Sequence, residues 1–363
     1  MLVPLERVLA GLWTATRPLE PRQLPIEATA GRVLAAPLRS PASIPAHALA
    51  LRDGWAVVAA DVVGASSYSP VVLAAEAAWV AAGQALPAGA DAVLPPDVVI
   101  MRNGLSEIVA EAAPGEGIRR VGEDASSGAI LRDVGERMRP SDIAVALAAG
   151  VGRVLVREAR VRILSLSRPA ARDAGAELVA RLSEAAGAAV DRVGLPSPDA
   201  PAIAAALREP GPDLIVIVGT GLDPNHPASE ALAVSGSLIA HGVALRPGET
   251  SGCGVVSAVP VILAPARLEG ALAVTLMLVL PCLDHLTGAS ARPPSLSGPL
   301  TRKVASAVGM TDIVLLRRRD EGLEPLAVGD LTLAAIGGAD GWLVVTPDSE
   351  GFAAGETVAA FLL

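Results

Sequence analysis

Aromatic residues and lysine are scarce in this sequence. Aromatic residues make up only 2% of its 363 residues, and Lys303 is the only lysine. Surfaces that bind nucleic-acid bases stack them on aromatic side chains, so such a surface is not expected here. The formal net charge of -9 and the pI of about 5.1 also disfavour a protein that binds a phosphate backbone. We therefore expect no nucleic-acid partner.

Cysteines are equally few. Cys253 and Cys282 are the only two, which is too few for a disulfide framework or a thiolate zinc site. The four histidines have no spacing typical of metal ligands. The first sixteen residues carry Glu6 and Arg7 inside their apolar stretch, which is not typical of a secretory signal. Together these features predict a cytoplasmic protein.

The chain also lacks a long uninterrupted apolar run, although its mean hydropathy is +0.50 and 52% of its residues are hydrophobic. The most apolar stretch covers residues 270–283. That is shorter than the roughly 20 residues that a helix needs to span a bilayer. We interpret it as a core helix and expect no membrane partner.

From residue 160 onward, strand and helix patterns alternate. Residues 214–218 read Leu-Ile-Val-Ile-Val with no polar alternation, which predicts a strand buried on both faces. The other predicted strands are 161–164, 190–194 and 261–263. The predicted helices are 174–186, a helix that Asp199 caps and that ends at Arg208, and about 267–285. This alternation predicts a doubly wound parallel sheet, whose ligand crevice lies beyond the carboxyl ends of its strands.

The flanking regions have different patterns. Residues 2–18 have helical spacing, and residues 44–121 contain short apolar runs between Gly, Pro and Asp, which predicts a β-rich lobe. Residues 140–142 are expected to cap a helix over 143–149. A Pro- and Ser-rich linker over 291–299 precedes predicted strands of a terminal β-barrel or sandwich, at 313–316, 331–334, 342–345 and 358–362.

Two kinds of short motif are candidates for chemistry. The glycine-rich turn that begins at Gly219 follows the buried strand, and its backbone N–H groups could approach an anion. Asp53 and Asp124 each lie beside a glycine and have the hard oxygen ligands that divalent cations prefer. Both kinds of motif also occur as ordinary turns, and for an Asp-Gly pair a turn is the commoner interpretation.

Arg246 precedes the rigid Pro247-Gly248 turn. An arginine held in this way could bind a phosphate or another oxyanion in a bidentate manner. The alternative is a surface turn with a solvated charge.

Several of these motifs, in their order along the chain, resemble one family. The segments are Asp53-Gly54-Trp55-Ala56-Val57 and residues 83–93, 118–124, 140–151, 245–248, 260–265 and 339–345. They resemble the molybdopterin molybdenumtransferases of the bacterial MoeA type, which are related to the E domain of gephyrin. The resemblance covers essentially the whole chain.

The resemblance implies an activity. Members of the family insert molybdate into the dithiolene of adenylylated molybdopterin and release AMP, with the assistance of Mg²⁺. Acidic residues hold the cation, and basic residues hold the phosphates and molybdate. The family implies a homodimer whose sites lie between subunits, with other molybdenum-cofactor biosynthesis proteins as further partners.

The resemblance also implies a multidomain α/β fold. We expect an elongated α+β N-terminal domain over residues 1–45 and 120–158, with a β lobe inserted at 46–119. A doubly wound, molybdopterin-binding-like α/β domain is expected over 159–290. A small C-terminal β-barrel follows over 291–363.

Carried over position by position, the family's acidic site residues correspond to Asp53, Asp124 and Asp173. These three are our candidate catalytic residues and magnesium ligands.

The candidate cofactor-binding residues are Gly219, Gly221, Asp223, Arg246 and Arg267. Arg246 replaces a lysine of the family and keeps its charge. We expect Arg246 and Arg267 to form the oxyanion site together.

The sequence departs from the family pattern where the chemistry is expected. The threonine of the family's Thr-Gly-Ala-Pro loop is Ala82, and the second lysine of its Lys-Pro-Gly-Lys turn is Glu249. The Ser-Thr-Gly-Asp-Glu, Ser-Gly-Gly-Val-Ser and Leu-Pro-Gly-Asn-Pro segments are replaced at 165–169, 218–222 and 264–268. Two carboxylates are lost in this way, and Leu222 replaces a hydroxyl donor.

Three interpretations follow. The chain is a divergent but active transferase in which Arg168 and Arg267 replace the lost lysines. Alternatively, it is a non-catalytic paralogue that binds the pterin or acts as a scaffold or regulator. A third interpretation is a changed specificity for another nucleotide-linked anion.

Overall fold

The computed structural model describes residues 2–102, 105–166, 173–195, 198–223 and 225–363. The chain forms two compact units. The larger comprises Met1–Ala36, Val134–Arg139 and Leu155–Leu363, and the smaller comprises Pro37–Asp133 and Pro140–Val154. The finer division into four domains stays a prediction.

The helices share amphipathic or wholly apolar sequences. They are α1 (Leu5–Ala15), α2 (Pro140–Ala148), α3 (Ala174–Ala185), α4 (Ala200–Arg208), α5 (Pro227–Ser235), α6 (Leu268–Val274), α7 (Leu280–Thr287) and α8 (Leu333–Gly338). A π-helical segment, Thr275–Val279, joins α6 to α7.

The strands are mostly short in the first half of the chain and longer in the second. Those of the first half are β1 (Arg22–Pro25), β2 (Val33–Leu34), β3 (Leu38–Arg39), β4 (Leu49–Ala50), β5 (Gly54–Val57), β6 (Val71–Val72), β7 (Ala78–Val80), β8 (Ala92–Leu94), β9 (Val99–Arg102), β10 (Leu105–Ile108), β11 (Ile118–Arg119) and β12 (Ile130–Arg132). Those of the second half are β13 (Arg153–Arg157), β14 (Arg160–Ser165), β15 (Ala189–Gly194), β16 (Leu214–Thr220), β17 (Ser237–His241), β18 (Leu245–Arg246), β19 (Gly252–Val256), β20 (Val259–Pro265), β21 (Leu296–Pro299), β22 (Val304–Ala305), β23 (Thr311–Arg319), β24 (Gly322–Val328), β25 (Gly341–Val345), β26 (Gly351–Phe352) and β27 (Thr357–Leu362).

The central sheet of the larger unit has the strand order β15-β14-β16-β20-β19-β17. Strands β15, β14, β16 and β20 are parallel to one another, whereas β19 and β17 run antiparallel. The predicted all-parallel sheet is therefore a mixed one. The reason is local, because β19 and β20 are joined by a tight turn at Ser257 and Ala258, both of which have positive φ. A connection this short permits only antiparallel pairing.

The helices beside this sheet begin where the sequence predicts. The Asp173 side chain accepts a hydrogen bond from the backbone N–H of Ala176 at the start of α3, and Asp199 does the same for Ala202 at the start of α4. Each cap satisfies a backbone donor that would otherwise lack a partner. In α1, Leu5, Val8 and Leu12 are buried in the same core as α3, which fits their helical spacing.

The apolar stretch near residue 270 is longer as a helix than its sequence suggests. The helical run Leu268–Thr287 has 20 residues, which is enough by length and composition to span a bilayer. However, 72% of its most apolar window is buried inside the protein, and its side chains belong to the main core. Burial of this extent agrees with the interpretation as a core helix.

The C-terminal part of the larger unit is built on the sheet order β18-β23-β25-β27-β21, with β24 paired to the outer part of β23. A bridge between Leu300 and Leu323 brings β24 next to the end of β21, so the sheet curls around its own apolar core. The predicted strand over 331–334 is wrong, because helix α8 begins there. The Thr332 side chain caps α8 by accepting from the backbone N–H of Ala335, an interaction that a strand cannot make.

The smaller unit contains the sheets β7-β5-β8 and β6-β10-β9, two two-stranded ribbons and helix α2. Its strands are two to four residues long and surround two small apolar cores. This agrees with the β-rich character expected from the sequence.

Candidate functional site

The central sheet has a topological switch point between β14 and β16. After β14 the chain passes through α3 to β15 on one side, and after β16 it passes through α5 to β17 at the opposite edge. The loops that leave the two strands are in contact, since the backbone N–H of Leu166 donates to the Val218 carbonyl over 3.0 Å. In open α/β sheets ligands bind in such a crevice at the carboxyl ends of the strands.

Asp173 lies on the β14 side of this crevice. Its Oδ1 accepts from the Ala176 N–H at 3.0 Å, and its Oδ2 accepts from the Ser165 hydroxyl at 2.7 Å. Ser165 is the last residue of β14. The carboxylate is therefore held between the strand end and the first turn of α3, at the place where the sequence predicts a ligand.

The turn at the end of β16, residues 219–223, lies on the other side. Gly219 has φ of 115°, and a Cβ added there would lie 3.0 Å from the Cβ of Leu166. Only glycine combines this backbone conformation with so close an approach of the neighbouring loop. The Thr220 hydroxyl donates to the Ala264 carbonyl over 3.0 Å and ties the turn to β20.

Two histidines that were not among the predicted site residues hold the same turn. His241, at the end of β17, has its Nε2 atom 2.8 Å from the Gly221 carbonyl and 3.3 Å from the Ser229 hydroxyl. His226 caps α5, with its Nδ1 atom accepting from the Ala228 N–H at 3.3 Å. The available signal was His226-Pro227 ahead of a helical run, since proline is favoured in the first turn of a helix.

Asp223 belongs to this turn and is exposed to solvent. Its Oδ1 accepts from the Asn225 N–H at 2.9 Å, and its backbone carbonyl accepts from the His226 N–H at 2.9 Å. Gly219, Gly221 and Asp223 are thus brought together in one tight structure, as their spacing predicts.

Arg246 belongs to an ion pair that the sequence did not predict. Strand β18 pairs with β23 so that Arg246 lies beside Asp312. The Arg246 Nε donates to the Asp312 Oδ1 over 2.8 Å, and its Nη2 donates to Oδ2. The Ser306 hydroxyl also donates to Oδ2, over 2.7 Å. Asp312 is fully buried, while the Arg246 side chain is 35% exposed.

This pairing restrains the arginine that was predicted to hold an oxyanion. The contact with the Asp312 carboxylate raises the pKa of Arg246 above its usual value, and the nearby Glu249 acts in the same direction, against an opposing effect of burial. The Glu249 carboxylate itself accepts from the Gly248 N–H at 3.0 Å. Arg246 therefore compensates negative charge that the protein itself supplies, and its oxyanion role stays a prediction.

Arg267 is in a different situation. It immediately precedes α6, just beyond the end of β20, and its side chain is 82% exposed. Its Nε donates to a carboxylate oxygen of Glu269, which is itself largely buried. An exposed guanidinium on one short ion pair still has donors available for a ligand. Arg168, the other arginine expected to compensate, lies outside the described residues.

Asp53 and Asp124 belong to the smaller unit, whereas Asp173 belongs to the larger. The Asp53 Oδ1 accepts from the backbone N–H of Ala82 at 2.8 Å, so it meets the loop in which alanine replaces the family's threonine. Asp124 pairs with Arg119. Within the described residues no three His, Cys, Asp or Glu side chains come close enough to hold a metal ion. Their role as magnesium ligands stays a prediction.

Comparisons with known proteins bear on the whole chain. Residues 3–150 match the family described as the MoeA N-terminal region, domains I and II. A molybdopterin biosynthesis protein of Methanocaldococcus jannaschii is 24% identical over 376 aligned residues, which cover 94% of this chain and 92% of the relative. Molybdopterin molybdenumtransferase 2 of Mycobacterium tuberculosis is 27% identical over 306 residues, covering 74% of this chain and 75% of its own.

Solved structures of MoeA proteins also resemble this chain. The molybdopterin biosynthesis MoeA protein from Pyrococcus horikosii superposes with a TM-score of 0.77 at 26% identity, covering 100% of this chain and 99% of that one. A second MoeA structure, from Pyrococcus horikoshii OT3, has a TM-score of 0.79 at 22% identity and supports the fold.

Proposed function

Because the chain is a member of the MoeA-type family, we propose that it acts in molybdenum cofactor biosynthesis as a molybdopterin molybdenumtransferase. The reaction is the insertion of molybdate into adenylylated molybdopterin, with release of AMP. The observation that carries this proposal is the switch point of the central sheet, where Asp173 and the 219–223 turn flank the carboxyl ends of β14 and β16. This is the position at which sheets of this type bind nucleotides and related ligands.

The roles of the crevice residues follow from their chemistry. The backbone N–H groups of the 219–223 turn are suited to a phosphate or another anion, because a glycine-rich turn lets main-chain donors approach it closely. Arg267 adds an exposed positive charge near the end of β20. Asp173, held in place by Ser165, contributes the fixed carboxylate on the opposite side.

The magnesium requirement is part of the proposal only through the family resemblance. Neither compact unit by itself brings three acidic side chains together among its described residues.

The second candidate is a non-catalytic member of the family that binds the pterin or acts as a scaffold. It is favoured by one observation: the lysine-equivalent Arg246 is bound to the buried Asp312, and Glu249 replaces the second lysine of that turn. A site with fewer available cations would retain a ligand less tightly and would stabilise a transferred anion less.

A turnover assay on matched variants tests the proposal. Purified protein is given adenylylated molybdopterin and molybdate, with and without Mg²⁺, and AMP release is measured. Asp173→Asn keeps a helix-capping oxygen and removes the charge, so we expect at least tenfold slower AMP release at nearly unchanged stability. Asp199→Asn is the control, because Asp199 caps α4 in the same manner and is not at the switch point.

The outcomes separate the candidates. Binding of the pterin nucleotide without AMP release favours the non-catalytic protein. Absence of both binding and turnover contradicts the transferase and the pterin-binding protein and leaves only the scaffold.

We further propose a cytoplasmic homodimer, as the family resemblance implies. Analytical ultracentrifugation tests the assembly, and a monomer at micromolar concentration would contradict it.

A further inference from the structure

Hydrogen bonds hold several residues of the 219–223 turn in place. The Gly221 carbonyl accepts from the His241 ring, the Thr220 hydroxyl donates to β20, and the Asp223 carbonyl accepts from the backbone N–H of His226. Both histidines therefore hydrogen-bond carbonyl groups of the same turn, His241 through its ring and His226 through its backbone. Neither belongs to the motifs that carry the family resemblance.

These bonds orient the peptide units of the turn. In a trans peptide the carbonyl and the N–H lie in one plane and point in opposite directions. Since the Gly221 carbonyl points at His241, the N–H of Leu222 points away from that ring. Main-chain donors directed in this way form an anion-binding surface, provided that the turn cannot rotate.

The two histidines differ in the ring protonation states that are compatible with their hydrogen bonds. A carbonyl can only accept, so the His241 Nε2 atom must carry a proton, and it does so in both the neutral and the charged ring. His226 has to accept at Nδ1 from the Ala228 N–H. Only the neutral ring with its proton on Nε2 can accept there, because the charged ring carries a proton on both nitrogens.

We infer that His226 and His241 are positioning residues for the anion-binding turn of the crevice, and that His226 fulfils this role only while its ring is neutral. The inference rests on the proposed function for the ligand, which is the phosphate-bearing pterin nucleotide. As the pH falls through the folded-state pKa of His226, the cap of α5 is lost and the turn loosens, so affinity falls.

The electrostatic surroundings set the pH window. Burial lowers the pKa of His226 from its usual value of 6.5, the Asp223 carboxylate opposes this, and the His241 ring adds to the lowering. Among the described residues, Asp223 and His241 are the charged or titratable groups that affect the ring. Because the folded-state pKa is depressed, the stabilisation is complete above 6.5 and is lost as the pH falls through the folded-state pKa.

The first test needs no ligand. Amide hydrogen-exchange protection factors of residues 219–223 and Ala228 are measured at about pH 8 and about pH 5, on either side of the histidine range. In the parent protein we expect about tenfold lower protection at the acidic pH, which is the size of effect that loss of a helix cap produces. His226→Asn should abolish this difference, because asparagine also caps helices and does not titrate.

Two further variants distinguish the roles. His241→Ala should lower the protection of the 219–223 turn as a whole equally at both pH values, because the hydrogen bond that His241 donates does not depend on the protonation state. His47→Asn is the control, since His47 is exposed and belongs to the other compact unit. It should behave as the parent at both pH values.

The second test measures binding of adenylylated molybdopterin at the same two pH values. We expect the affinity of the parent to fall about tenfold on acidification and that of His226→Asn to change little. Equal loss of protection in the parent and in His226→Asn would overturn the inference. If the parent binds no pterin nucleotide at either pH, the proposed function fails, while the protection factors still decide whether His226 holds the turn.

Discussion

Arg246→Ala is the most informative single change, because it separates a structural cation from a ligand-binding one. The substitution leaves the Asp312 carboxylate fully buried, with the Ser306 hydroxyl as its remaining side-chain donor. Removing one partner of a buried ion pair costs about 3–5 kcal/mol, because an uncompensated charge remains in a medium that solvates it poorly. The Arg246 side chain is 35% exposed, so water screens part of the interaction and we expect about 3 kcal/mol.

The measurement is thermal or urea unfolding of the whole chain, followed by a signal of the larger unit. For a folding unit of this size, about 3 kcal/mol corresponds to a decrease in Tm of about 6–12 °C. Asp312→Asn should cost less than Arg246→Ala, because it removes the buried charge and leaves the half-exposed arginine to water. Arg246→Lys should lie between the parent and Arg246→Ala, since an ammonium group cannot make both bonds of the guanidinium fork.

Arg181→Ala is the matched control, because Arg181 is an exposed arginine that pairs with Glu177 in the same unit. It should leave the Tm unchanged. The reasoning is refuted if Arg246→Ala unfolds like the parent while its affinity for molybdate or the pterin nucleotide falls tenfold. That result would mean that Arg246 leaves Asp312 and binds the ligand directly.

Three further predictions concern the crevice and the core. Arg267→Ala should weaken binding of the pterin nucleotide about tenfold, measured by isothermal titration calorimetry. It should change the free energy of unfolding by less than about 1 kcal/mol, since the arginine of its ion pair with Glu269 is exposed. An unchanged affinity would contradict a ligand role for Arg267. Glu249→Lys restores the charge that the family has in this turn and should strengthen molybdate binding, measured by equilibrium dialysis; an unchanged or lower affinity would show that the turn does not face the anion. Burial raises the pKa of Cys253 and Cys282 to about 12. Both thiols should therefore resist a thiol reagent at neutral pH and react with it after urea unfolding. Rapid labelling of the native protein would contradict the described core.

Local chemistry was enough to predict much of the fold. Asp173 and Asp199 cap helices where the sequence places them, because an N-cap interaction joins residues two or three positions apart. The strand of β16 was predictable from its unbroken apolar run, since a strand buried on both faces has no polar alternation. The glycine-rich turn after it likewise lies at the end of a parallel strand, as its spacing predicts.

Local patterns failed where a segment is ambiguous over a few residues. Residues 331–334 read as an apolar strand, but Thr332 caps a short helix instead. The choice depends on whether a threonine hydroxyl finds a backbone N–H, which hydropathy does not record. The prediction of an all-parallel sheet did not include the antiparallel strands β17 and β19. The direction of a strand is decided by the connection that leads to it and not by the residues of the strand.

The sequence by itself determined which residues are chemically able to act: the acidic positions, the glycine-rich turn and the arginines near strand ends. The tertiary structure decided which of these groups are available. Arg246 and Asp312 are 66 positions apart in the chain, and His241 lies 20 positions from the carbonyl that it holds. Pairings at such separations arise from strand register and packing. A charge or carbonyl group that is buried loses its contacts with water and therefore needs a partner inside the protein, whereas in an extended chain water solvates the same group.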